Sequence, residues 1–460
     1  MGIQSVITRT VTVAGGRFAP GHLGELTQLV PFEMVDEALA QTRTMQSRVR
    51  DLPARVVVYL LLAGCLFPEL GYPGVWRKLT AGLAGLPVAA PTPSALLQAR
   101  RRVGAAPLRF LFDLLRGPAA APRDRGAWWH GLLVCAIDGT IVTVPDSPAN
   151  LARFTKGGGS HGGTGYPQVR LLALVACGTR TLIDAVFGPT ASGETTYAPG
   201  LLASLHQGMI VLADRNFAAG KLIAAIAATG ADVLVRLKNG RVTPMLAQYR
   251  DGSYLSVLGG VPVRVIDCQI TLTTTAGQHT GSYRLATTLR DHRRYPAADL
   301  IRLYHQRWEI ETAYLEIKST ILGGRVLRAR TPEGITQEIY ALLVTYQLLR
   351  TAMADATSTC PGTDPDRASF TIAWHAARDQ ITHAANIIAG TVTDLAGTIG
   401  RHVLASLLPA RRLRTSPRTV KRAISKYQAR GPSIDRTSYK TTISIDILAP
   451  PDTLTTTPSA

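Results

Sequence analysis

The segment between residues 132 and 237 restricts the possible folds more than any other part of the chain. Five short runs rich in β-branched residues lie at 132–144, 166–177, 181–188, 208–215 and 231–237. The first three follow one another directly, whereas stretches with helical character, near 194–206 and 218–229, precede the last two. Strands that begin as a meander and then alternate with helices predict a mixed sheet with helices packed on it. The predicted fold class is α/β.

The regions on either side of this segment have different patterns. Helices punctuated by proline and glycine are predicted over 33–50, 54–67, 74–85 and 93–117. Residues 240–290 are rich in Thr, Val and Gly, which predicts a small β insertion, and helical spacing returns from Pro296 to about residue 352. The predicted organisation is a tail (1–25), a helical domain (26–122), a core (128–239 and 291–352), the insertion (240–290) and a helical, basic C-terminal region (353–460).

The charge of the chain indicates a polyanionic partner. Lys and Arg number 50 against 31 Asp and Glu, which gives a net charge of +19. Such an excess repels itself in a compact fold unless a polyanion offsets it, and nucleic acid is the usual one. Two clusters are candidate DNA contacts, although each is also compatible with a solvated helix face. They comprise Arg100, Arg101 and Arg102 in the helical region, and Arg418, Lys421 and Arg422 in the tail 411–430.

Several other classes of protein are disfavoured. The five cysteines are scattered without a CxxC pair, which argues against a disulfide scaffold and a zinc site. The apolar run 56–67 is shorter than the roughly 20 residues that span a bilayer, so it predicts a buried helix. The tail 411–430 has too few large apolar residues for a membrane-surface helix. With no signal-peptide pattern at the N-terminus, we expect a cytoplasmic protein.

Two aspartates lie in or directly after apolar strands. Asp138 is part of AIDGT, and Asp214 follows MIVLA. A buried carboxylate costs several kcal/mol unless it is paired with a cation, so a neighbouring arginine or a metal ion is expected at each. Two carboxylates held close together on one sheet either share a proton or bind a hard cation such as Mg²⁺ or Mn²⁺.

A third acid lies in the predicted helix YHQRWEIETAYLEIK, from Tyr304 to Lys318. At about 100° per residue, Tyr304, Arg307, Glu311 and Lys318 form one stripe, whereas Glu309 and Glu316 fall on another face. Glu311 is therefore flanked by two cations. Such a stripe is compatible with a salt-bridged helix face and equally with a metal ligand between two phosphate-binding side chains.

The spacing Tyr304-x2-Arg307-x3-Glu311-x6-Lys318 resembles the YREK signature of the insertion-sequence-four family of bacterial DDE transposases. AIDG at 136–139 and LADRNF at 212–217 are similar to the segments around the first two catalytic aspartates of that family. The similarity extends from the helical region with ARRR, through DGSY at 251–254, to the basic tail.

This resemblance implies an RNase H-like core in which Asp138, Asp214 and Glu311 bind two Mg²⁺ ions, with Mn²⁺ able to substitute. It implies that Tyr304, Arg307 and Lys318 hold DNA phosphates, and that the partners are double-stranded terminal inverted repeats and target DNA. The implied activity cuts at transposon ends and joins the 3′-OH to the target. Residues 26–122 are then expected to bind the DNA ends, and the protein to act as a homodimer.

Two alternatives remain open from the sequence. One is a metal-dependent nuclease that cuts DNA without joining it, and the other is a catalytically inactive DNA-binding relative. The cleavage route is also open, because relatives that form a hairpin intermediate use a tryptophan near the insertion and residues 240–295 contain none. Tyr249, Tyr254 and Tyr283 are candidates to stack on a base instead.

Overall fold

The computed structural model describes residues 10–12, 17–46, 48, 50–83, 85–122, 124, 126–157, 165–238, 240–383, 397–409, 414–415 and 439–448. Five helices lie in the N-terminal quarter: α1 (Phe32–Gln41), α2 (Ala54–Leu66), α3 (Tyr72–Thr80), α4 (Pro93–Val103) and α5 (Ala106–Leu115). They are preceded by the short strands β1 (Thr10–Thr12) and β2 (Phe18–Pro20). Among the described helices of the whole chain, none combines the length and apolar composition needed to cross a bilayer.

The N-terminal helices match the predicted segments with two differences. The helix expected over 33–50 ends at Gln41, and the one expected over 93–117 is two helices. Gly104 separates α4 from α5 with a φ of 65°, a backbone conformation that side-chain-bearing residues rarely adopt and that ends a helix. The apolar run 56–67 is a buried helix as predicted, because α2 is covered on all sides.

A mixed sheet forms the centre of the molecule. Its first half contains β3 (Trp128–Trp129), β4 (Leu132–Thr143), β5 (Gln168–Ala176), β6 (Leu182–Pro189), β7 (Met209–Ala213) and β8 (Asp232–Leu237). The order is β6-β5-β4-β7-β8, with β5 antiparallel to both neighbours and β4, β7 and β8 parallel. Three meandering strands followed by two parallel strands on the far side of the first form the RNase H-like arrangement expected from the sequence.

The helices between these strands are short. They are α6 (Pro148–Arg153), α7 (Glu194–Tyr197), which continues into a 3₁₀ segment at Ala198–Ser204, and α8 (Gly220–Ala228). One face of the sheet packs against α8 and the 3₁₀ segment through Leu133, Cys135 and Ile137 of β4. The opposite face, with Val134 and Ala136, belongs to the largest apolar cluster of the molecule. Alternation along β4 thus directs the side chain that follows Ile137 toward the second face.

The strands of the predicted β insertion extend this same sheet. They are β9 (Ala247–Gln248), β10 (Tyr254–Leu258), β11 (Val261–Thr274) and β12 (Gly277–Thr287). β12 pairs antiparallel with β8 through Arg284–Thr287, so the sheet continues without a break into the long β11–β12 hairpin. The insertion is therefore continuous with the core through backbone hydrogen bonds.

The second half of the chain returns to helices and then, among the described residues, to three short strands. α9 (Ala297–Tyr304), α10 (Trp308–Leu315), α11 (Pro332–Ser358), α12 (Phe370–Thr382) and α13 (Gly397–Ala405) follow the hairpin. The remaining strands are β13 (Arg414–Thr415), β14 (Tyr439–Lys440) and β15 (Thr442–Ile447). β15 pairs with β11 over Cys268–Thr273, so the region predicted as helical after residue 353 also contributes a strand to the sheet.

The N-terminal helices and the core share one apolar interior. α2, α5 and α13 all pack against α11, and residues of α1 to α5 belong to the same cluster as the second face of the sheet. Polar contacts reinforce this packing, since the side-chain amide of Gln337 in α11 donates to the carbonyls of Arg100 and Gly104. Residues 26–122 are therefore packed as an integral part of the molecule.

Candidate active site

Asp138 and Asp214 lie next to each other, because Asp138 is within β4 and Asp214 directly follows the adjacent parallel strand β7. Ile137 of β4 pairs with Ala213 of β7. Asp138 and Asp214 are the residues that directly follow this pair. Neighbouring strands are about 4.8 Å apart, and residues in register point to the same face. The Asp214 carboxylate accepts the N–H of Asn216 at 2.7 Å, which begins a short 3₁₀ turn at Arg215. The fold thus places two carboxyl groups on one edge, facing the second side of the sheet.

The pKa of Asp138 is raised from 3.8 to about 6. Burial is the largest cause, and the nearby charges of Asp214 and Glu194 act in the same direction. The N–H of Gly139, 2.8 Å from the carboxylate, and the Arg307 guanidinium act in the opposite direction. The Arg307 charge therefore only partly compensates for the burial of the Asp138 carboxylate.

Glu311 comes to the same place from the helix packed over β4. The segment is continuous from Ala297 to Ile321 but changes pitch: α9 is followed by a 3₁₀ turn at His305–Arg307, then α10, then a π turn at Glu316–Ile321. The stripe predicted for a uniform α-helix is therefore approximate, because 3₁₀ and π turns advance by different angles. The Glu311 side chain is 37% exposed, so it borders open solvent.

Arg307 joins the acids. Its Nη2 donates to Glu311 Oε1 at 2.9 Å, and its Nη1 lies 3.7 Å from Asp138 Oδ2. Within the described residues, its Nε is buried without a hydrogen-bond partner, and no three acidic, histidine or cysteine side chains are arranged to share a metal ion. A guanidinium thus bridges two carboxylates that come from β4 and α10.

Two tyrosines fix the helix to the strands. Tyr304 is buried and donates to the carbonyl of Ala213 at 3.1 Å, immediately before Asp214. Tyr314 donates to the carbonyl of Asp138 at 2.5 Å and accepts the N–H of Ala173 at 3.0 Å. Lys318, in the π turn, donates to Thr140 Oγ1 at 3.3 Å. The residues of the predicted stripe therefore lie over the second half of β4 and the end of β7.

Comparison with known proteins identifies the family of the chain. Residues 20–113 match the family described as the insertion element 4 transposase N-terminal domain, and residues 129–348 match the transposase DDE domain. The transposase InsG of insertion sequence element IS4 from Escherichia coli K12 is 27% identical over 414 residues, covering 86% of this chain and 91% of that protein. The chain belongs to the insertion-sequence-four family of DDE transposases.

Two further similarities are more limited. The putative transposase InsZ of the same organism is 32% identical over 195 residues, which cover 41% of this transposase and 62% of InsZ. The cryo-EM structure of the piggyBac transposase synaptic complex with hairpin DNA aligns over 84% of each chain, with 9% identity and a TM-score of 0.43. The family assignment makes this chain a DNA-binding, DNA-cutting and DNA-joining enzyme of the divalent-metal-dependent type.

Glu194 is an acid beside the site that the sequence analysis did not identify. It is the first residue of α7, and Arg170 of β5 binds its carboxylate at 3.1 Å. A Cβ on Gly139 would lie 2.4 Å from the Glu194 carboxylate, so the glycine after Asp138 is required for this close approach. No spacing signal distinguishes Glu194, because its proximity to Asp138 arises only when β4 and β5 pair.

A basic cleft adjoins the transposase site. It has a volume of about 380 Å³ and is lined by Arg170, Glu194, Thr195, Arg215, Asn216 and Lys238. Arg215 and Asn216 directly follow Asp214, and Glu194 lies against Gly139, so the cleft opens beside both aspartates. Three cationic side chains on one wall favour an anionic ligand such as a phosphodiester.

The other glutamates of the signature segment face away from the site, as predicted. Glu309 accepts Arg180 Nε at 2.5 Å, and Glu316 accepts Arg350 Nε at 3.0 Å. Both pairs are buried between α10, α11 and the turn that joins β5 to β6. Of the three acids in the helix, Glu311 alone lies beside Asp138.

The predicted DNA contacts outside the core fall into three groups. Arg101 and Arg102 are exposed on α4, and the charge of Arg50 close to Arg102 contributes to lowering the pKa of Arg102, although partial burial is the larger cause. Arg100 instead packs its guanidinium 3.8 Å from the centre of the Tyr72 ring. Arg418, Lys421 and Arg422 lie outside the described residues.

The three tyrosines considered for base stacking already have partners. Tyr249 stacks on His292 with ring centres 4.9 Å apart, and the Arg236 guanidinium lies 4.3 Å from the Tyr283 ring. Tyr254 is buried and hydrogen-bonds to Thr243 at 2.7 Å. Stacking of a base on any of them requires the existing contact to be replaced.

Proposed function

We propose that this transposase cuts DNA at the ends of its insertion sequence and joins the freed 3′-OH to target DNA, using Asp138, Asp214 and Glu311. The observation that supports this assignment is the Arg307 bridge between Asp138 and Glu311, beside Asp214. Asp138 of β4 and Glu311 of α10 thereby meet at one cationic side chain, and Asp214 at the end of β7 lies next to Asp138.

The donor set fits divalent metal ions. All three side chains offer carboxylate oxygens, the ligands that Mg²⁺ and Mn²⁺ prefer, and the pKa of Asp138 is raised chiefly by burial and further by the charges of Asp214 and Glu194. We propose that the three acids hold two Mg²⁺ ions, which Mn²⁺ can replace. When bound, such a pair lowers the pKa of an attacking water and stabilises the leaving 3′ oxygen.

Arg307 and Lys318 are proposed to hold non-bridging phosphate oxygens. Arg307 carries a planar fork with a spare Nε, and it needs only to exchange carboxylate partners for a phosphate. Lys318 already lies beside β4, where it donates to Thr140, two residues after Asp138. Tyr304 donates to the Ala213 carbonyl, so its proposed phosphate contact requires that bond to be exchanged.

The substitutions Asp138→Asn, Asp214→Asn and Glu311→Gln test the triad. Each should abolish cutting of a DNA fragment with the element's terminal repeats while leaving its binding in a mobility-shift assay unchanged. Glu333→Gln, on the exposed first turn of α11, is the matched control. Retention of cutting by any triad variant would refute the assignment of that residue.

A strand-transfer assay with precut ends separates the two remaining alternatives. Joined products identify a transposase, whereas cleavage of uncut ends without joining identifies a nuclease. Failure of both reactions, with end binding intact and Mg²⁺ or Mn²⁺ present, identifies an inactive DNA-binding relative.

Reading of the DNA ends is proposed to involve α4. Its exposed residues include Gln98, Arg101 and Arg102, while the buried residues Leu96, Ala99 and Val103 hold it to the core. Deletion of residues 1–122 is an unsuitable test because it would uncover the apolar surface of α11. The double variant Arg101→Gln/Arg102→Gln is preferable, and unchanged footprints on the ends would contradict this role.

The remaining proposals concern assembly and location. We propose that a homodimer pairs the two terminal repeats and that the protein acts in the cytoplasm, where its DNA substrate lies. Sedimentation of the protein with and without a terminal-repeat duplex tests the dimer, which requires two chains per pair of ends.

A further inference from the structure

A second cluster of charged residues lies beneath the signature helix, on the face opposite Glu311. It consists of Arg180, Arg350, Glu309, Glu316 and Asp366. The side chains of both arginines are almost fully buried, with 3% and 2% exposure. Buried charges of this number are costly unless each is paired, so their arrangement requires a structural or functional reason.

Arg180 connects the cluster. Its Nε donates to Glu309 at 2.5 Å, its Nη1 lies 3.4 Å from Glu316 Oε1, and its Nη2 binds Asp366. The residue has a φ of 59°, which is uncommon for a residue with a side chain. The tight turn between β5 and β6 therefore presents one guanidinium to three carboxylates.

Glu316 receives a second arginine. Arg350 of α11 contacts both of its carboxylate oxygens, at 3.0 Å through Nε and closely through Nη2. The Tyr346 hydroxyl lies 3.1 Å from Glu316 Oε2 and 3.0 Å from the Arg180 carbonyl. Glu316 is also the first residue of the π turn that carries Lys318. The two arginines thus hold the helix where its pitch changes.

The contacts of Arg180 bracket Glu311 along the helix. Glu309 lies two residues before it and Glu316 five residues after it, both on the opposite face. The chain that carries Arg180 continues back into β5, where Ala173 pairs with Asp138. Tyr314 joins these two residues from above through its hydroxyl. A continuous series of backbone and hydrogen-bond contacts therefore connects Arg180 to Asp138 in β4.

We propose that Arg180 is a positioning residue that sets the register of the signature helix against β4, so that Glu311 and Lys318 reach Asp138 and Thr140. This inference rests on the proposed catalytic role of the triad. Arg180 itself touches neither substrate nor metal. Its effect would reach the reaction through the distance between Glu311 and Asp138, to which both metal binding and catalysis are sensitive.

Glu309→Gln is the most informative variant. The amide keeps the size of the side chain and one hydrogen-bond acceptor for Arg180, while Arg180 keeps Glu316 and Asp366 as partners. We expect a folded protein whose Mn²⁺ affinity, measured by electron paramagnetic resonance on the complex with a terminal-repeat duplex, falls about 10-fold. The Mg²⁺ concentration for half-maximal cleavage should rise by a similar factor, with DNA binding unchanged.

Arg55→Gln is the matched control. Arg55 pairs with Asp36 between α1 and α2, in a part of the molecule away from the catalytic acids. It should lower stability without changing Mn²⁺ affinity. Arg180→Lys provides a second test, since lysine keeps the charge but cannot contact three carboxylates through a planar fork. Its Mn²⁺ affinity should be reduced at least as much as that of Glu309→Gln.

Unchanged Mn²⁺ affinity in both Glu309→Gln and Arg180→Lys, with both proteins folded by circular dichroism, would overturn the positioning role. That outcome is distinguishable from failure of the proposed function. If the triad is misassigned, Asp138→Asn retains cleavage. If only the positioning role is wrong, Asp138→Asn is inactive while the two network variants resemble the unsubstituted protein.

Discussion

The two faces of the signature helix carry the same kinds of residue in opposite situations. On the face toward β4, Asp138 and Glu311 share one bridging arginine beside open solvent, and Asp214 lies next to Asp138. On the other face, Glu309, Glu316 and Asp366 are closed off from solvent by Arg180 and Arg350, with the Tyr346 hydroxyl nearby. The first cluster has carboxylates whose demand for cations is only partly met, whereas each carboxylate of the second has an arginine partner.

This difference in ion pairing distinguishes the acids that we propose to be catalytic from the acids that have a structural role. Where carboxylates are fully paired and buried, adding a metal ion or a phosphate would first require ion pairs to be broken. On the open face the carboxylates are only partly paired, and the pKa of Asp138 is about 6. Their oxygens are therefore available to bind a divalent cation. The same helix therefore carries Glu311, which we propose to be catalytic, on one side and structural contacts on the other.

The largest effect is expected on the open face. Replacing Asp138, Asp214 or Glu311 by its amide should lower the cleavage rate at least about 10³-fold, because the charge that binds the metals is lost. Single-turnover cleavage of a labelled terminal-repeat duplex measures it. Glu333→Gln, which removes an exposed carboxylate elsewhere, should cleave at the unsubstituted rate. Comparable losses in that control would show that the open face has no special role.

The closed face should respond in stability. Arg180→Ala leaves three carboxylates short of a partner, which should lower the free energy of unfolding by about 3–5 kcal/mol. Urea unfolding followed by circular dichroism provides the value. Arg55→Ala breaks an ion pair whose side chains are 29% and 33% exposed, and should cost less than about 1 kcal/mol. Equal costs for both variants would contradict the description of the Arg180 cluster as a tightly closed network.

The pH dependence of stability distinguishes the clusters further. Because the pKa of Asp138 is about 6 in the folded protein against 3.8 ordinarily, the folded chain binds more protons between these values. The free energy of unfolding contributed by this residue therefore falls as pH rises from about 4 to about 6. The Asp138→Asn variant lacks this loss. Its free energy of unfolding should therefore increase by about 2 kcal/mol relative to that of the unsubstituted protein as the pH rises across this range.

Urea unfolding in the presence of a chelator, at pH 4 and pH 7, measures this gain. Glu333→Gln provides the reference, because an exposed carboxylate should give no comparable change between the two pH values. A constant difference between Asp138→Asn and the unsubstituted protein would mean that the pKa of Asp138 is not raised in the folded protein.

The smallest effect concerns α4, where some arginine side chains are exposed and another is packed against a neighbouring ring. Arg101 and Arg102 are exposed, whereas Arg100 lies against Tyr72. Arg101→Gln/Arg102→Gln should reduce the slope of log affinity against log salt concentration by about 2, one unit for each lost phosphate contact. Fluorescence anisotropy with a terminal-repeat duplex at several salt concentrations measures the slope. An unchanged slope would place these arginines outside the DNA interface.

The sequence predicted the elements whose signals are local. The runs at 132–144 and 208–215 contain β4 and β7, and their apolar residues correctly indicated that Asp138 lies in a strand and that Asp214 directly follows one. Helical spacing correctly placed Glu309 and Glu316 away from Glu311. These features depend on periodicity within a few residues, which is visible in a single sequence.

Features that depend on contacts between residues far apart in the sequence could not be predicted in this way. Glu194 reaches Gly139 only after β4 and β5 have paired, and Arg180 meets Asp366 across 186 residues of sequence. The run 442–447 alternates exposed and half-buried residues as β15, but its partner β11 lies far back in the chain. The π turn at Glu316–Ile321 likewise follows from buried arginine contacts with Glu316, for which helix periodicity gives no sign.

The pairing of β15 with β11 also affects how the protein is made. Until residues 442–447 have left the ribosome, the stretch Cys268–Thr273 has neighbours on one side only and presents unsatisfied amides and carbonyls along the other. A chain that stops short of that final strand would keep this row of groups available to any extended peptide, including another unfinished copy. This edge of the sheet at β11 is therefore completed only when residues 442–447 pair with it.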